Sequence, residues 1–540
     1  MPVLIRLSVI PLVFIISLYF ACFLNWPVLL HFFDILSNLS DVKIGFIISI
    51  PVVLVCALNF VFIPFSFRFI LKPVFCFLLI SGALVSYSML KYKVVFDQVM
   101  IQNIMETNPG EALSYLNASS ILWITFAGIL PVVLLLLVQV EYPENFFTGI
   151  FWRLISMLTS VFVIFVIALF YYQDYASVGR NNTSLNKEVV PANYVYSTVG
   201  YIRDRYFTTH PVFRQIATDA RRERKEDKPV LMFLVVGETA RKQNFSLNGY
   251  PRETNAHTQK ESGVISFKSV DACGTSTAVS VPCMFSDMTR GDFSRKAAAS
   301  SENVLDILHR TGISVLWKEN DGGCKGVCNR LPVVSMNALG NKKLCNGRTC
   351  YDGVLLDNVD ENITQLTGND KMIVFHMIGS HGPTYFERYP EEHRFFVPDC
   401  PRSDIENCTN EELVNTYDNT IRYTDYVLSE MIKKLKEYSD KYRTVLLYVS
   451  DHGESLGEYG LYLHGTPYKM APDQQTQVPL LLWMSPEFIS SENMDMSCLS
   501  ENARNKKYSH DNIFSSLLGL WNVHTEMYDA GMDIFAACRK

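Results

Sequence analysis

The chain has 540 residues and a net charge of −6; 49% of its residues are hydrophobic and only 19% are charged. This length allows two or three domains, and the acidic balance gives no support for a nucleic-acid-binding protein. The average hides two unlike parts, because long charge-free runs occupy the chain up to residue 173 and mixed polar sequence follows.

Five runs without a charged residue dominate the first part of the chain. A helix that crosses the roughly 30 Å core of a bilayer needs about 20 apolar residues. The runs therefore predict membrane spans at residues 8–30, 44–66, 73–90, 119–140 and 154–172. Buried helices of a soluble protein are the alternative, but such helices rarely run this long without charge. The first run is too long for a cleaved signal peptide and ends without a small-residue cleavage site, so we interpret it as an anchor.

Two further segments have amphipathic character. Between the third and fourth spans, hydrophobic residues recur at helical spacing and predict an interfacial helix near residues 93–118. Residues 173–228 contain many tyrosines and arginines, which predicts a bridging segment along the lipid headgroup region. The predicted domains are thus a transmembrane domain, 1–172, this bridge, 173–228, and a catalytic domain, 229–540.

The last domain alternates strand-like and helical patterns. The strand-like runs are Val230–Val236, Ile313–Trp317, Met372–His376, Val445–Val449 and Val478–Trp483. Near-continuous apolar strands separated by helices predict an α/β domain with a mostly parallel sheet covered on both faces.

The cysteines indicate which side of the membrane this domain occupies. Of 13 cysteines, Cys22, Cys56 and Cys76 lie in predicted spans, and ten lie in the last domain. An even number at close spacing indicates disulfides in an oxidising compartment. Neighbouring positions suggest the pairs Cys273–Cys283, Cys324–Cys328, Cys345–Cys350, Cys400–Cys408 and Cys498–Cys538, although spacing does not fix connectivity. A structural zinc site is the alternative, but the chain has no CxxC pair. With five spans and this domain outside, the N-terminus is expected in the cytoplasm.

Polar clusters follow three of the predicted strands, where α/β sheets bind ligands. They are Gly237-Glu238-Thr239, His381-Gly382 and the run Ser450–Glu454, with His464 a little later. This mixed set of oxygen and nitrogen ligands suits zinc or manganese better than calcium or magnesium.

A nucleophile is expected in the hydroxyl-rich stretch Cys273–Ser280, which precedes a helical pattern. A hydroxyl at a helix N-terminus lies beside free backbone N–H groups that bind phosphate, and a metal ion makes such a hydroxyl more acidic. The alternative is a capping segment with surface hydroxyls. A Cys273–Cys283 bridge would hold this loop in place.

At this point the motifs resemble a known family, the lipid A phosphoethanolamine transferases, which include the mobile colistin-resistance enzymes of the alkaline phosphatase superfamily. The resemblance covers the whole chain. The motifs are GETAR at Gly237–Arg241, CGTSTAVSVPCMF at Cys273–Phe285, GSHGP at Gly379–Pro383, SDHGESLGE at Ser450–Glu458 and LHG at Leu463–Gly465.

The resemblance implies a five-helix transmembrane domain followed by a sulfatase-like and alkaline-phosphatase-like domain in the periplasm, anchored in a bacterial inner membrane. It implies one tight Zn²⁺ site and a second, weaker one. By the resemblance, zinc would be bound by Glu238, Thr277, Asp451 and His452, and Thr277 would also be the nucleophile. The substrate phosphate or a second zinc would be contacted by His381 and His464, and the donor or acceptor pocket would be lined by Lys325 and His376. The lipid headgroup would be contacted by Asn103, Thr107 and Glu111, with Glu111 beside the ethanolamine ammonium.

The implied reaction transfers phosphoethanolamine from phosphatidylethanolamine to a lipid A phosphate through a covalent threonine intermediate, in a monomer that lowers polymyxin (colistin) susceptibility. The nearest alternative is a related membrane-anchored phosphoglycerol or phosphoethanolamine transferase that acts on another envelope glycan. A sulfatase is disfavoured because the Cys-x-Pro-x-Arg motif is absent. A non-catalytic membrane sensor with a decayed site is a further alternative, but the proposed ligand set is intact.

Overall fold

The structure is a computed structural model that describes residues 5–37, 43–107, 112–113, 115–181, 185–207, 212–223, 228–347 and 349–540. It comprises two compact units. The first, here called the N-terminal unit, is Met1–Ile101 with Leu116–Phe207; the second, the C-terminal unit, is Gln102–Tyr115 with Thr208–Lys540. The domain limits expected from the sequence stay predictions.

Long apolar helices form the N-terminal unit. They are α1 (Val9–Tyr19), α2 (Trp26–Ser37), α3 (Ile44–Phe62), α4 (Leu71–Tyr92), α5 (Gln98–Glu106, which continues into the C-terminal unit), α6 (Ala118–Ile124), α7 (Leu130–Leu137), α8 (Phe146–Asn181) and α9 (Ala192–Ile202). Within the described residues, four continuous helical segments are long and apolar enough to cross a membrane: Ile44–Phe65, Leu71–Tyr92, Ala118–Leu137 and Phe146–Tyr175. The pair Val9–Leu24 and Trp26–Ser37, bent by 55°, makes a fifth if it counts as one span.

The bend in the first predicted span has a local cause at Asn25. Its side-chain amide donates hydrogen bonds to the carbonyls of Phe20 (2.9 Å) and Val190 (2.6 Å), and its Oδ1 accepts one from Val190 N–H (2.7 Å). Asn25 is fully buried. Because an unpaired backbone group in an apolar interior is costly, these bonds stabilise the broken helix.

A seven-stranded sheet forms the centre of the C-terminal unit. Its strands are β1 (Val230–Gly237), β2 (Ile265–Phe267), β3 (Ser314–Glu319), β4 (Val333–Ser335), β5 (Lys371–His376), β6 (Arg443–Ser450) and β7 (Leu480–Met484), in the order β2-β7-β6-β1-β5-β3-β4. Only β7 runs against the others among these seven. All eight residues of β1 and of β6 are buried, which explains their continuous apolar sequence. The predicted α/β class with a mostly parallel sheet is confirmed.

Helices cover both faces of this sheet. They are α10 (Thr277–Met284), α11 (Arg295–Ala299), α12 (Val304–Arg310), α13 (Met336–Leu339), α14 (Val359–Gln365), α15 (Asn410–Glu437), α16 (Asp473–Thr476), α17 (Pro486–Ser491), α18 (Met496–Asn505) and α19 (Asp511–Leu520). Alternate residues of β1, such as Met232 and Leu234, pack in one core with α12 and α19. The long helix α15 packs on the other face, against β6.

Candidate active site

Four polar segments meet at the carboxyl edge of the central sheet. In the ladder Gly237 of β1 lies opposite Ser450 of β6, so Glu238 and Asp451 leave neighbouring strands side by side. On the other side of β1, His376 of β5 pairs with Val236 and with Glu319 of β3. The strand order therefore brings together residues that are more than 200 positions apart in the sequence.

Glu238, Asp451, His452 and Thr277 form one buried cluster. Thr277 Oγ1 lies 3.1 and 3.2 Å from the two Glu238 oxygens and 3.5 Å from His452 Nε2. His452 Nε2 is 3.4 Å from Glu238 Oε1 and 3.3 Å from Asp451 Oδ2. Zinc bonds of roughly 2.0–2.1 Å in a tetrahedron place ligand atoms about 3.3–3.4 Å apart. The distances within this cluster, 3.1–3.5 Å, are close to those between the ligand atoms of a zinc site.

The hydrogen bonds around this cluster leave the ligand atoms available. His452 Nδ1 donates to the Gly453 carbonyl at 2.8 Å, which places the lone pair on Nε2. The buried Asp451 Oδ2 has no hydrogen-bond partner among the described residues. Burial and then the neighbouring Asp451 raise the pKa of Glu238 well above its usual value. Burial and then His464 lower the pKa of His452 well below its own. A divalent cation fits this donor set, because it would offset the negative charge of two buried carboxylates that have only a neutral imidazole beside them.

Thr277 is held in place by the start of α10. It is the first residue of this helix, and the Cys273–Cys283 disulfide joins the preceding loop to the helix. Ser280, one turn later, donates to the Asp451 carbonyl. A Cβ added at Gly274 would lie 2.8 Å from Val279 Cγ1, so the loop approaches the helix too closely for a side chain.

His510 braces the same loop against β6. Its Nδ1 accepts a hydrogen bond from Cys273 N–H (3.1 Å), and its Nε2 donates to the Ser450 carbonyl (2.9 Å). Burial lowers the pKa of His510 to about 4, so the ring is neutral, as these two bonds require. No sequence pattern indicates this role, because His510 lies far from every motif.

A polar pocket opens beside the cluster. It is lined by Asn103, Glu106, Thr107, Thr277, Ala278, Asp321, Gly322, Lys325, His381 and His464, all in the C-terminal unit. Six residues predicted from the sequence thus share one pocket. Glu111, expected beside them, lies outside the described residues.

One side of this pocket is built by Lys325, His381 and His464. Lys325 has a left-handed backbone (φ +50°) in a loop closed by the Cys324–Cys328 disulfide. His381 donates from Nδ1 to the Gly382 carbonyl at 2.8 Å, and its ring centroid is 5.3 Å from that of His464. Burial and then His464 lower the pKa of His381 to about 3. His381 is therefore neutral at pH 7.

His376 occupies a different position from the one expected. It is fully buried and is not among the described residues that line the pocket. Its Nδ1 donates to Glu319 at 3.0 Å. Burial opposes charge on both groups, but their mutual attraction lowers the pKa of Glu319 to about 2 and raises the pKa of His376 to about 9.

Sequence reasoning missed three carboxylates of this region. Glu319 is the last residue of β3 and Asp321 follows it, so this strand has a polar end like the three strands that precede the predicted ligands. Glu454 is buried, and its Oε2 lies 3.4 Å from His464 Nδ1. A fourth carboxylate, Glu106, lines the pocket from the segment predicted as an interfacial helix.

Both parts of the chain match known family models. Residues 231–523 match the sulfatase model, and residues 54–206 match the model described as phosphoethanolamine transferase EptA/EptB.

Relatives match over nearly the whole length. The chain is 43% identical to phosphoethanolamine transferase EptA of Escherichia coli K12 over 508 residues, which cover 94% of this chain and 92% of the relative. It is 37% identical to phosphatidylethanolamine transferase Mcr-1 of Escherichia coli, over 96% of both chains. The integral membrane lipooligosaccharide phosphoethanolamine transferase A of Neisseria meningitidis superposes with a TM-score of 0.96 at 37% identity, over 99% of this chain and 100% of that structure.

The close approach at Gly274 generates a prediction. Gly274→Ala should destabilise the full chain by about 1–3 kcal/mol, because the new methyl overlaps Val279 in a loop that a disulfide prevents from moving away. Thermal unfolding in detergent micelles measures this. Gly291→Ala is the matched control, since its Cβ would meet only Thr289 Oγ1 at 3.7 Å. Equal melting temperatures for the two variants would contradict the prediction.

Proposed function

The chain belongs to the phosphoethanolamine transferase family, and from this membership we propose that it transfers phosphoethanolamine from phosphatidylethanolamine to a phosphate of lipid A. The observation that carries the proposal is the position of the Thr277 hydroxyl. It lies at the start of a helix, 3.1 Å from Glu238, and opens into a pocket that contains both Lys325 and the carboxylate Glu106.

Glu238, Thr277, Asp451 and His452 are the residues that would hold one tightly bound zinc ion. When bound, zinc makes a coordinated hydroxyl more acidic and offsets the negative charge of a phosphate. The matching ligand spacing, the unpartnered Asp451 Oδ2 and the neutral His452 support this assignment.

Thr277 acts as the nucleophile in the first half of the reaction. Its Oγ1 attacks the phosphorus of the donor, the Oγ1–P bond forms and the bond from phosphorus to the diacylglycerol oxygen breaks. The departing oxygen takes up the proton that Thr277 loses, and His464, which lines the same pocket, is placed to carry it. Lys325 stabilises charge on the non-bridging oxygens.

The second half returns Thr277 to its starting state. An oxygen of the lipid A phosphate attacks the phosphorus, the Oγ1–P bond breaks and Thr277 regains a proton. His381 and His464, which line the pocket beside Thr277, are the candidate bases at this stage.

The environment of Glu106 is the reason to propose ethanolamine rather than glycerol as the headgroup that is transferred. Its Oε2 is buried and has no hydrogen-bond partner within the described part of the chain. Its Oε1 accepts from Gln102 at 2.7 Å, and Gln102 in turn accepts from Arg295, so the side chain is fixed against the C-terminal unit. An ammonium group would pair with the free oxygen, whereas a neutral glycerol hydroxyl would leave a carboxylate charge unbalanced.

The same proposal implies where the enzyme is located and how it changes polymyxin susceptibility. We expect the chain to work as a monomer in a bacterial inner membrane. The C-terminal unit is assigned to the periplasm because all five disulfides of the described residues lie in that unit, whereas the three free cysteines lie in apolar helices. Modified lipid A carries less negative charge and attracts polymyxins less strongly.

Thr277→Ala should abolish transfer, because no other group replaces the hydroxyl beside Glu238. Mass spectrometry of lipid A from expressing cells should show added phosphoethanolamine with the natural chain and none with this variant. Thr277→Ser should keep a covalent adduct. Ser276→Ala, which removes the adjacent hydroxyl, is the control and should keep transfer. Modified lipid A in Thr277→Ala cells would refute the covalent route, and unmodified lipid A with the natural chain would favour an envelope glycan as acceptor.

Metal removal should destabilise the protein as well as inactivate it. A ligand present at 100 times its dissociation constant stabilises the folded state by about 2.7 kcal/mol. Zinc added to chelator-treated protein should therefore raise its melting temperature by several degrees. Glu238→Ala should lose this response, and the exposed Glu501→Gln should keep it. A zinc-independent melting temperature in the natural chain would count against the zinc site.

Glu106→Gln should raise the KM for phosphatidylethanolamine about tenfold, because losing a charge-assisted hydrogen bond costs roughly 1.5 kcal/mol or more. Its preference for phosphatidylethanolamine over phosphatidylglycerol should fall by a similar factor. Glu501→Gln serves again as the control. An unchanged KM and preference would show that Glu106 does not contact the ammonium.

Cells that express the chain should tolerate higher polymyxin concentrations, and Thr277→Ala should remove this protection. Minimum inhibitory concentrations, measured beside the lipid A spectra, check the link. Modified lipid A with unaltered susceptibility would contradict it.

A further inference from the structure

Glu238 has metal-ligating neighbours on two sides. One side holds Asp451 and His452, described above. On the other side lie Asp321 and His376, and one ligand atom from each of Glu238, Asp321 and His376 lies within 4.8 Å of the other two. Neither Asp321 nor His376 has a role in the first cluster.

His376 is oriented as metal-binding histidines are. Its Nδ1 is bonded to Glu319, which leaves Nε2 directed away from that carboxylate, 3.9 Å from Asp321 Oδ2. Nε2 is buried and has no hydrogen-bond partner among the described residues. A carboxylate behind the far ring nitrogen fixes the ring and raises the basicity of Nε2. A metal ion would bind there in place of the proton that the raised pKa of His376 implies.

Glu319 is itself held firmly in this orienting position. It accepts hydrogen bonds from Trp317 Nε1 (2.7 Å) and from the backbone N–H groups of Asp321 (2.7 Å) and Gly322 (2.9 Å). The second of these bonds also ties Asp321 to the carboxylate that orients His376. The three residues after β3 thus form a rigid corner beside Glu238.

We propose that Glu238, Asp321 and His376 form a second divalent-cation site and that the Glu238 carboxylate bridges it to the first. The inference rests on the proposed function only through the zinc assigned to Glu238. Two carboxylates and an imidazole favour zinc or manganese. His376 Nε2 and Asp321 Oδ2 lie 3.9 Å apart, compared with 3.3 and 3.4 Å for the His452 contacts of the first cluster, so we expect the second ion to bind more weakly.

This site differs from the one expected from the sequence. There, His381 and His464 were the residues that would hold a second zinc. Asp321 and Thr277 line the same pocket, so an ion held by Asp321 would lie close to the proposed nucleophile. Paired metal ions about 3.5–4 Å apart stabilise both the attacking and the leaving oxygen in other phosphoryl-transfer sites.

The test counts zinc in the full chain. Protein purified in detergent is stripped with a chelator and titrated with Zn²⁺ at pH 7, and bound zinc is measured by mass spectrometry of the metal. The natural chain should bind two ions. Asp321→Asn should bind one, with the weaker event reduced at least about 100-fold, and His464→Gln should still bind two. Chelator-treated Asp321→Asn should unfold at the same temperature as the chelator-treated natural chain, which excludes misfolding.

The outcomes separate the two proposals. One zinc in the natural chain, with lipid A transfer intact, overturns the second site alone, and no zinc overturns the first site as well. Two ions in Asp321→Asn, or one in His464→Gln, would also overturn the assignment. In Co²⁺-loaded protein the bridge predicts magnetic coupling between the ions, which Asp321→Asn should abolish; two uncoupled ions would refute the bridge.

Discussion

The C-terminal unit depends on one electrostatic constraint: two carboxylates at the ends of neighbouring strands meet where both side chains are fully buried. Glu238 and Asp451 are both fully buried, and the ladder that aligns Gly237 with Ser450 makes their proximity unavoidable. A buried charge without a counter-charge is costly, so this edge of the sheet is stable only with protons or cations bound. The site is therefore built to hold positive charge before any substrate arrives.

The backbone around Glu238 is shaped to keep this arrangement. Gly379 has a left-handed conformation (φ +50°), and a Cβ there would lie 2.4 Å from the Glu238 carbonyl. At Gly237 a Cβ would lie 2.4 Å from the Tyr448 hydroxyl. Thr239 also has a positive φ, of 51°, which strains a residue with a branched side chain. Two glycines and one strained residue thus allow three chain segments to converge on a single carboxylate.

The sequence was sufficient for those parts of the site that lie directly after apolar strands. Glu238, Asp451 and His452 follow β1 and β6, and continuous apolar runs identify such strands without ambiguity. The role of Asp321 and His376 was not predictable in the same way. It depends on β5 lying between β1 and β3. The order of strands in a sheet is a tertiary property, and it cannot be inferred from the spacing of residues along the chain. The bend at Asn25 was hidden for a similar reason, because the partner that stabilises it is Val190, 165 residues away.

In the proposed reaction the transferred group carries both a negative phosphate and a positive ammonium, and the pocket offers separate elements for each. Lys325, His381 and His464 belong to loops of the α/β fold, whereas Asn103, Glu106 and Thr107 come from a segment that the sequence places between two membrane spans. This segment, Gln102–Tyr115, is nevertheless part of the C-terminal compact unit. A fragment that begins at Thr208 would retain Thr277 and its ligands but would lose the wall that includes Glu106. Phosphate chemistry and headgroup recognition are thus encoded in separate stretches of the chain, and only the full-length protein combines them.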